Sequence, residues 1–337
     1  MIFLCLLLLT SLVGPDTVSI LTINVWSGLT HVGALRSKTY ESKEERSFRY
    51  GLLTNGLKEL DPDIIALNEA NMLPGYAKRL ARDLGREYVY SVSRGGVRLG
   101  PVGFPINVRE GEAILSRSFF NIVSLGSRGL SGGYAGNFAS FHFQEATGVL
   151  GAKITIGERD VFLFVTQWHR SEFDSSTNLS SLVESYTSAQ IEGGRLLELV
   201  ADAVEGHAIR LEEARKTLAF IDEIAGDNPV ILMGNLNTLP FSGEIALVTE
   251  SGFRDAWEEI RDPGYTWDES ANTNVKKIIE LDGRDPSDPG RHRIDYIFFR
   301  GEGLRVVSAK TVLDETTFDI HPSSHYGVMV EIDFNDP

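Results

Sequence analysis

The sequence predicts an α/β fold, two packed mixed β-sheets with helices on their outer faces. Three observations predict it: short apolar, β-branched runs recur from end to end, stretches with helical spacing alternate with them, and no repeat or Gly/Ser- or Pro-rich linker divides the chain. The run VSILTINVW (18–26) alternates and reads as a strand ending at Asn24. RSFRYGLLTNGLKEL (46–60) has apolar residues at helical spacing, and DPDIIALNEA (61–70) is a buried strand opened by Asp-Pro and closed by Glu69. PGYAKRLARDLG (74–85) is a helix that stops at Gly85. Short strands and glycine-rich loops follow from Tyr88 to Phe143, then the strand VFLFVTQWH (161–169). A helix over 207–226 places Leu211, Ala214, Leu218 and Ile221 on one face, and PVILMGNLNTLP (229–240) is an apolar strand breaking at Gly234. RIDYIFF (293–299) and YGVMVEI (326–332) supply two late strands.

The 337 residues carry 32 basic and 47 acidic side chains, a net charge of −15, with 42% hydrophobic residues. That composition, with 23% charged and 9% aromatic residues, excludes a disordered chain. No apolar stretch beyond the first dozen residues is long enough to cross a bilayer, so membrane contact is expected to be peripheral. The acidic balance disfavours a partner bound mainly by phosphate neutralisation, although a divalent metal reverses the local field of an acidic pocket.

Cys5 is the only cysteine, so no internal disulfide forms and the core must hold the fold. It lies in MIFLCLLLLTSLVG, which resembles the apolar region of a secretory signal although no Lys or Arg precedes it. Residues 1–15 are therefore expected to be a leader, implying a secreted or extracytoplasmic protein, with an N-terminal anchor as the alternative. Residues 16–337 are expected to form a single domain, with an insert at 174–205 whose Ser-rich start and later LLELVADAV suggest a loop and helix over one rim of the sheets.

Polar residues mark the strand ends. Asn24, Glu69, Asn235 with Asn237, Asp295 and His325 all lie at or just beyond the ends of apolar runs, where strands present rather than bury their side chains. Singly, each has a structural reading as a solvated charge, a turn former or a core histidine. Together they make a candidate pocket, and Asp295 beside His325 would orient the imidazole and fix its tautomer.

The ordered set NVW, IIALNEA, GEAILSR, VTQWH, GNLNTLP, GYTWD, RIDYIF and SSHYGV resembles the endonuclease/exonuclease/phosphatase superfamily of DNase I-like, metal-dependent phosphodiesterases. The resemblance spans Val18 to Ile332. Asn24 followed by Trp26, and GFRDAWEEIR after the GNLN strand, look nearest to the neutral sphingomyelinase-like branch. The resemblance implies a four-layered α/β sandwich. It also implies that Glu69 binds Mg²⁺ or another divalent cation, that Asn24 supports the metal and phosphate site, and that Asn237 positions the nucleophile and phosphate oxygens. Asp295 is implied to orient His325, which contacts the phosphoryl group.

Four positions depart from the family pattern. Asn235 stands for the aspartate of GD-x-N, Gln167 for the histidine of TH, Ser324 for the aspartate of SDH, and Asn68 for the usual glutamine before the glutamate. A carboxamide at 235 cannot deprotonate water as a carboxylate would, and Gln167 can donate a hydrogen bond to a phosphate oxygen but carries no imidazolium charge. His169, Glu172, Asp319 and His321 are neighbours that could substitute for the lost groups.

Two functions are therefore expected in competition: a Mg²⁺-dependent phosphodiesterase-type hydrolase, or a catalytically impaired relative that binds a phosphoester without cleaving it. The favoured partner is a phosphoester-containing small molecule or lipid headgroup rather than a nucleic acid. Val97, Leu99, Val102 and Phe104 would supply an apolar rim for a lipid, and Arg94, Arg98 and Arg109 the basic residues for a nucleic acid.

Overall fold

The structure is a computed structural model that describes residues 17–29, 41–95, 98–99, 102–103, 109–132, 134–135, 139–141, 146–171, 193–258, 260, 264–281 and 290–334. The strands of the two main sheets are β1 (Thr17–Asn24), β2 (Ile64–Ala70), β3 (Glu87–Gly95), β4 (Arg109–Ser116), β5 (Val123–Ser131), β6 (Thr147–Ile156), β7 (Arg159–Gln167), β8 (Val230–Asn235), β9 (Arg254–Asp255), β10 (Asp295–Arg300), β11 (Arg305–Val312) and β12 (Gly327–Asp333). They form two six-stranded mixed sheets, in the orders β11-β12-β1-β2-β4-β3 and β9-β10-β8-β7-β6-β5. The helices are α1 (Lys43–Leu60), α2 (Gly75–Leu84), α3 (Gly193–Ala225), α4 (Gly243–Glu250) and α5 (Thr273–Leu281).

Strand periodicity decides the layering. Along β2, Ile64 and Ala66 join an apolar cluster with Leu163, Val165, Ile231 and Met233 of the second sheet. Ile65 and Leu67, on the opposite face, pack with Leu53 and Leu57 of α1 and Ala77 and Leu80 of α2. β8 behaves likewise: Ile231 and Met233 face the first sheet, while Leu232 packs with Ala214, Leu218 and Ile221 of α3 and Ile245 of α4. A strand apolar on both faces must lie between two layers, and the result is helix, sheet, sheet, helix. This is the expected sandwich of the DNase I-like fold.

Each sheet has a parallel pair at its centre, β1 with β2 and β7 with β8, so these four strands end on common rims. β12 runs antiparallel to β1 and β10 antiparallel to β8, which brings their first residues to the same ends. Residues far apart in sequence are thereby delivered together.

Several boundaries differ from the sequence expectation for local reasons. α1 starts at Lys43, earlier than 46, because Ser42 and Glu45 form a reciprocal capping box. α3 starts at Gly193 and runs unbroken through the glycine at 206, so residues 193–205 are continuous with the expected 207–226 helix. Gly206 is a point of close approach, not a boundary: a Cβ there would lie 2.6 Å from the Ser171 Cβ. The leader at 1–15 and the stretch 174–192 lie outside the described residues. α4, α5 and the edge strand β11 were not foreseen; β11 is half exposed and rich in polar residues, as edges tend to be.

Gly234 has no room for a side chain: its φ is +132°, and its missing Cβ would lie 2.0 Å from the carbonyl oxygen of Thr166 on the neighbouring strand and 3.1 Å from Asn68 Oδ1 of the other sheet. Gly234→Ala is expected to destabilise the protein by at least about 2 kcal/mol, because both the backbone angle and the space exclude a side chain. Denaturant unfolding of the variant and parent measures this, and a loss below 0.5 kcal/mol would contradict the packing described.

Candidate active site

The polar rim is assembled from strand ends. β2 pairs regularly with β4 up to Leu67, and the register then shifts before Ala70. Glu69 sits in that irregularity with φ +53°, a left-handed backbone that turns its carboxylate away from the ladder. Trp26 (φ +52°) and Asn237 (φ +48°) are held in the same region. Such a backbone costs a non-glycine residue free energy, so its surroundings must hold it there.

Glu69 is fixed by donors from both sheets. Asn24 Nδ2 donates to Oε1 at 2.9 Å, the Ser27 amide to Oε2 at 3.2 Å and Gln167 Nε2 to Oε1 at 3.2 Å. Asn24 also accepts the Trp26 amide through Oδ1 at 2.9 Å, so one carboxamide shapes the turn and holds the carboxylate.

The second half of the rim follows from strand register. Gln167 and Asn235 are neighbours across the parallel β7–β8 pair, and Asn235 is opposite Asp295 across β8–β10. Asp295 Oδ2 lies 2.8 Å from His325 Nδ1, while its Oδ1 is buried without a partner among the described residues. With Nδ1 engaged, Nε2 is the imidazole atom left for a ligand. Ser323 closes the circle, donating from its hydroxyl to the Asn24 carbonyl at 2.5 Å and accepting the His325 amide at 3.4 Å. Glu69, Gln167, Asn235, Asp295, His325 and Asn24 therefore line one continuous ring of contacts.

Asn237 belongs to the same rim. Its Nδ2 donates to the Trp168 carbonyl at 2.8 Å, and the Trp168 amide donates to the Asn235 carbonyl at 3.1 Å. Oδ1 of Asn237 is thus the atom available to a ligand or water.

The carboxamides at 235 and 68 are tied in by their own hydrogen bonds. Asn235 donates from Nδ2 to the Ile294 carbonyl at 3.2 Å, which an ionised aspartate could not do. Asn68 donates to the Thr166 carbonyl at 3.0 Å and accepts the Asn235 amide at 3.1 Å, joining the two sheets through one side chain. Ser324 is buried, and its carbonyl accepts Asn272 Nδ2 at 3.2 Å.

The suggested substitutes divide. His169 lies on the loop after β7, its amide donating to Glu213 Oε2 at 2.6 Å. His321 is buried, and its Nδ1 lies 3.2 Å from the Thr273 amide at the start of α5; burial lowers its pKa. Asp319 is exposed, and Glu172 falls outside the described residues.

Sequence reasoning passed over several organising residues. Arg49 is a buried cation in the apolar stripe of α1, with all of its donor groups engaged. It binds both Glu41 oxygens, at 2.8 and 2.9 Å, and the carbonyls of Val25, Trp26 and Pro322, at 2.9 to 3.0 Å. It therefore fixes the loop after β1 against the segment leading to His325. Its spacing with Leu53 and Leu57 was the available signal. Trp267, inside the GYTWD motif, meets the His325 ring edge-on with centroids 5.1 Å apart.

Glu112 was also passed over. It is 1% exposed, accepts the Ser93 hydroxyl through Oε1 at 3.0 Å, and lines a small cleft together with Ser93, Thr147 and Gln167. Burial pushes its pKa from 4.5 up to about 8, so it is protonated at neutral pH.

The donors at the rim are hard oxygens, with Glu69 as the carboxylate. Among the described residues no three His, Cys, Asp or Glu side chains cluster as a metal cage. Glu69, with carboxamides beside it and Asp295 committed to His325, fits a magnesium-like ion that keeps several of its waters, and does not fit a dry, protein-enclosed cation.

Fold and site together define a phosphoester-hydrolase scaffold. Residues 21–325 match the family model described as Endonuclease/Exonuclease/phosphatase family, and the chain belongs to that family, whose members are generally divalent-metal dependent. No curated protein matches it. Among solved structures it is similar to D. rerio TDP2 complexed with single strand DNA product, at 18% identity and TM-score 0.59 over 94% of this chain and 99% of that one. It is also similar to the endonuclease/exonuclease/phosphatase from Bacteroides vulgatus (14%, TM-score 0.58, 94% of this chain and 98% of that one). A family protein from Leptotrichia buccalis is comparable (18%, TM-score 0.57, 94% and 100%). Identities this low carry the fold alone.

The raised pKa of Glu112 makes a stability prediction. Its carboxyl holds a proton in the folded chain and loses it in the unfolded chain as pH rises from 4.5 to about 8, so its effect on stability is harmless below 4.5 and increasingly unfavourable up to 8. Unfolding free energies of parent and Glu112→Gln should therefore diverge across that window, the variant gaining on the order of a few kcal/mol relative to the parent by pH 8. Parallel profiles would contradict it.

Proposed function

We propose that the protein is a divalent-metal-dependent phosphodiesterase-type hydrolase whose turnover is slow because its water-activating carboxylate is replaced. The carrying observation is the ring of contacts that brings Glu69 together with Asn24 and Gln167 on one side and Asp295 with His325 on the other. Mg²⁺ held by Glu69 would neutralise phosphoryl charge and polarise the phosphorus centre.

The chain's own residues have separate tasks in this reading. His325, oriented through Nδ1 by Asp295, donates from Nε2 to a non-bridging phosphoryl oxygen. Asn237, tethered through Nδ2, uses Oδ1 to align the attacking water. Asn235 takes no proton from that water, since its amide is neutral and donates to the Ile294 carbonyl. General-base assistance is worth about 10²- to 10⁴-fold, which sets the scale of the loss. The same bond favours the second reading, in which the pocket binds a phosphoester and does not cleave it.

A phosphoester small molecule or lipid headgroup suits the site better than a nucleic acid, on two grounds. The net charge of −15 opposes approach of a polyanion. Met72, Phe241 and Phe318 are 61%, 94% and 86% exposed on the loops that follow Glu69, follow Asn237 and precede His325. Such residues suit an apolar surface around the cleft. Val97 and Phe104, proposed for that rim from sequence, lie outside the described residues, as do the side chains of Leu99 and Val102. The sphingomyelinase-like assignment rests on the Trp26 and GFRDAWEEIR resemblance alone.

Hydrolysis of bis(p-nitrophenyl) phosphate and of sphingomyelin, with Mg²⁺ or with EDTA, tests the proposal. The parent should turn over slowly and only with metal, Glu69→Gln should not, and the combined Asn235→Asp, Gln167→His, Ser324→Asp variant should run about 10²-fold faster or more. Activity only in the combined variant would overturn the hydrolase reading for this chain in favour of the binding-only one, and none in either would overturn the hydrolase reading. For the lipid preference, Phe241→Asp should reduce co-sedimentation with phosphatidylcholine and sphingomyelin vesicles, and equal binding would count against it.

A further inference from the structure

Gln167 holds the place of a cationic family residue, and its amide donates to Glu69, so the cleft needs another source of positive charge for an anionic ligand. The arginines whose guanidinium groups lie on elements lining the rim are mostly committed. Arg49 is paired with Glu41, Arg94 with Glu110 at 3.8 Å, Arg210 with Glu244 at 3.1 Å and Arg293 with Asp255 at 2.6 Å. Arg170 differs. Among the described residues it has no carboxylate partner, and its guanidinium lies over the Trp267 ring, 5.5 Å from the centroid.

The loop carrying Arg170 is fixed on both sides. The Trp168 amide donates to the Asn235 carbonyl at 3.1 Å and its carbonyl accepts Asn237 at 2.8 Å. Arg210 Nη1 donates to the His169 carbonyl at 3.3 Å and to the Ser171 hydroxyl at 3.0 Å. Trp267 is itself pinned, 8% exposed, with its indole N–H donating to Glu269 at 3.3 Å, and it touches His325. One indole therefore carries both the free guanidinium and the imidazole of the site. An arginine stacked on an aromatic face keeps its in-plane N–H donors, a fork that matches two oxygens of a phosphate.

We propose that Arg170 is a substrate-binding residue that grips the non-bridging oxygens of the phosphoester and supplies the cationic charge that Gln167 lacks. The proposal deepens the phosphoester reading above and rests on it. Gln167 and Arg170 are then alternatives in charge supply: a cation at either position serves the same anion.

Titration calorimetry with inorganic phosphate, in the presence of Mg²⁺, tests this with the full chain. Arg170→Gln should weaken phosphate binding about 10- to 100-fold and flatten its dependence on ionic strength, while Arg170→Lys retains part of the affinity. The melting temperature should not change, which separates loss of a contact from loss of the fold. In a Gln167→His background the Arg170→Gln penalty should shrink to about threefold or less, the non-additivity expected of two groups serving one ligand. Phosphate binding by Arg170→Gln within twofold of the parent would overturn the role of Arg170 and leave the phosphoester reading intact. A parent with no measurable phosphate affinity would overturn both, and the two failures are told apart by the parent alone.

Discussion

A single buried carboxamide governs the geometry of this protein. Asn68 donates to a carbonyl of β7 and accepts an amide of β8, directional bonds that hold the two sheets in register where their apolar cores end. Dispersion between Ile64, Leu163 and Ile231 presses the sheets together but does not choose their relative slide. Directional bonds do, and a buried donor or acceptor left unmatched costs roughly 1–3 kcal/mol. With the slide chosen, Glu69 of one sheet meets Gln167 of the other, and the remaining polar residues follow from strand pairing.

Arg49 performs the equivalent task one layer out. Strand ends tolerate loops of many shapes, and the left-handed backbone at Trp26 is a costly one. The guanidinium offsets that cost by stacking on the Trp26 ring at 4.6 Å while bonding to its carbonyl. Its charge is balanced locally by Glu41, so the arrangement adds no net field to the cleft. The neutral residues at 235, 167 and 324 are integrated in the same manner. Asn235 and Gln167 enter the network through side-chain donors, and Ser324 is buried.

Much of this was legible in the sequence because strands buried on both faces are hard to disguise. IIAL, VFLFV and VILM announce themselves by apolarity, and polar residues that interrupt such runs are conspicuous. Asn24, Glu69, Asn235, Asp295 and His325 were found that way. Elements whose residues are mixed, such as α5 and the edge strand β11, gave no comparable signal. Arg49 and Glu112 escaped for the opposite reason: each is a charged type in a position that only tertiary packing makes interior, and a sequence window shows neither the partner carbonyls nor the desolvation. Arg170 was missed because its significance lies in lacking a partner, which is visible only after the other arginines have been matched to theirs.

The long helix α3 reaches the cleft through a missing side chain. At Gly206 the helix backbone presses against Ser171, next to the residue stacked on Trp267, while Leu218 and Ile221 anchor the same helix on the second sheet. A helix of this length behaves as a stiff beam, so its tilt is set at both supports at once. Between those supports Arg210 and Glu213 bond to the His169 carbonyl and amide, so the outermost layer also sets the course of the loop after β7.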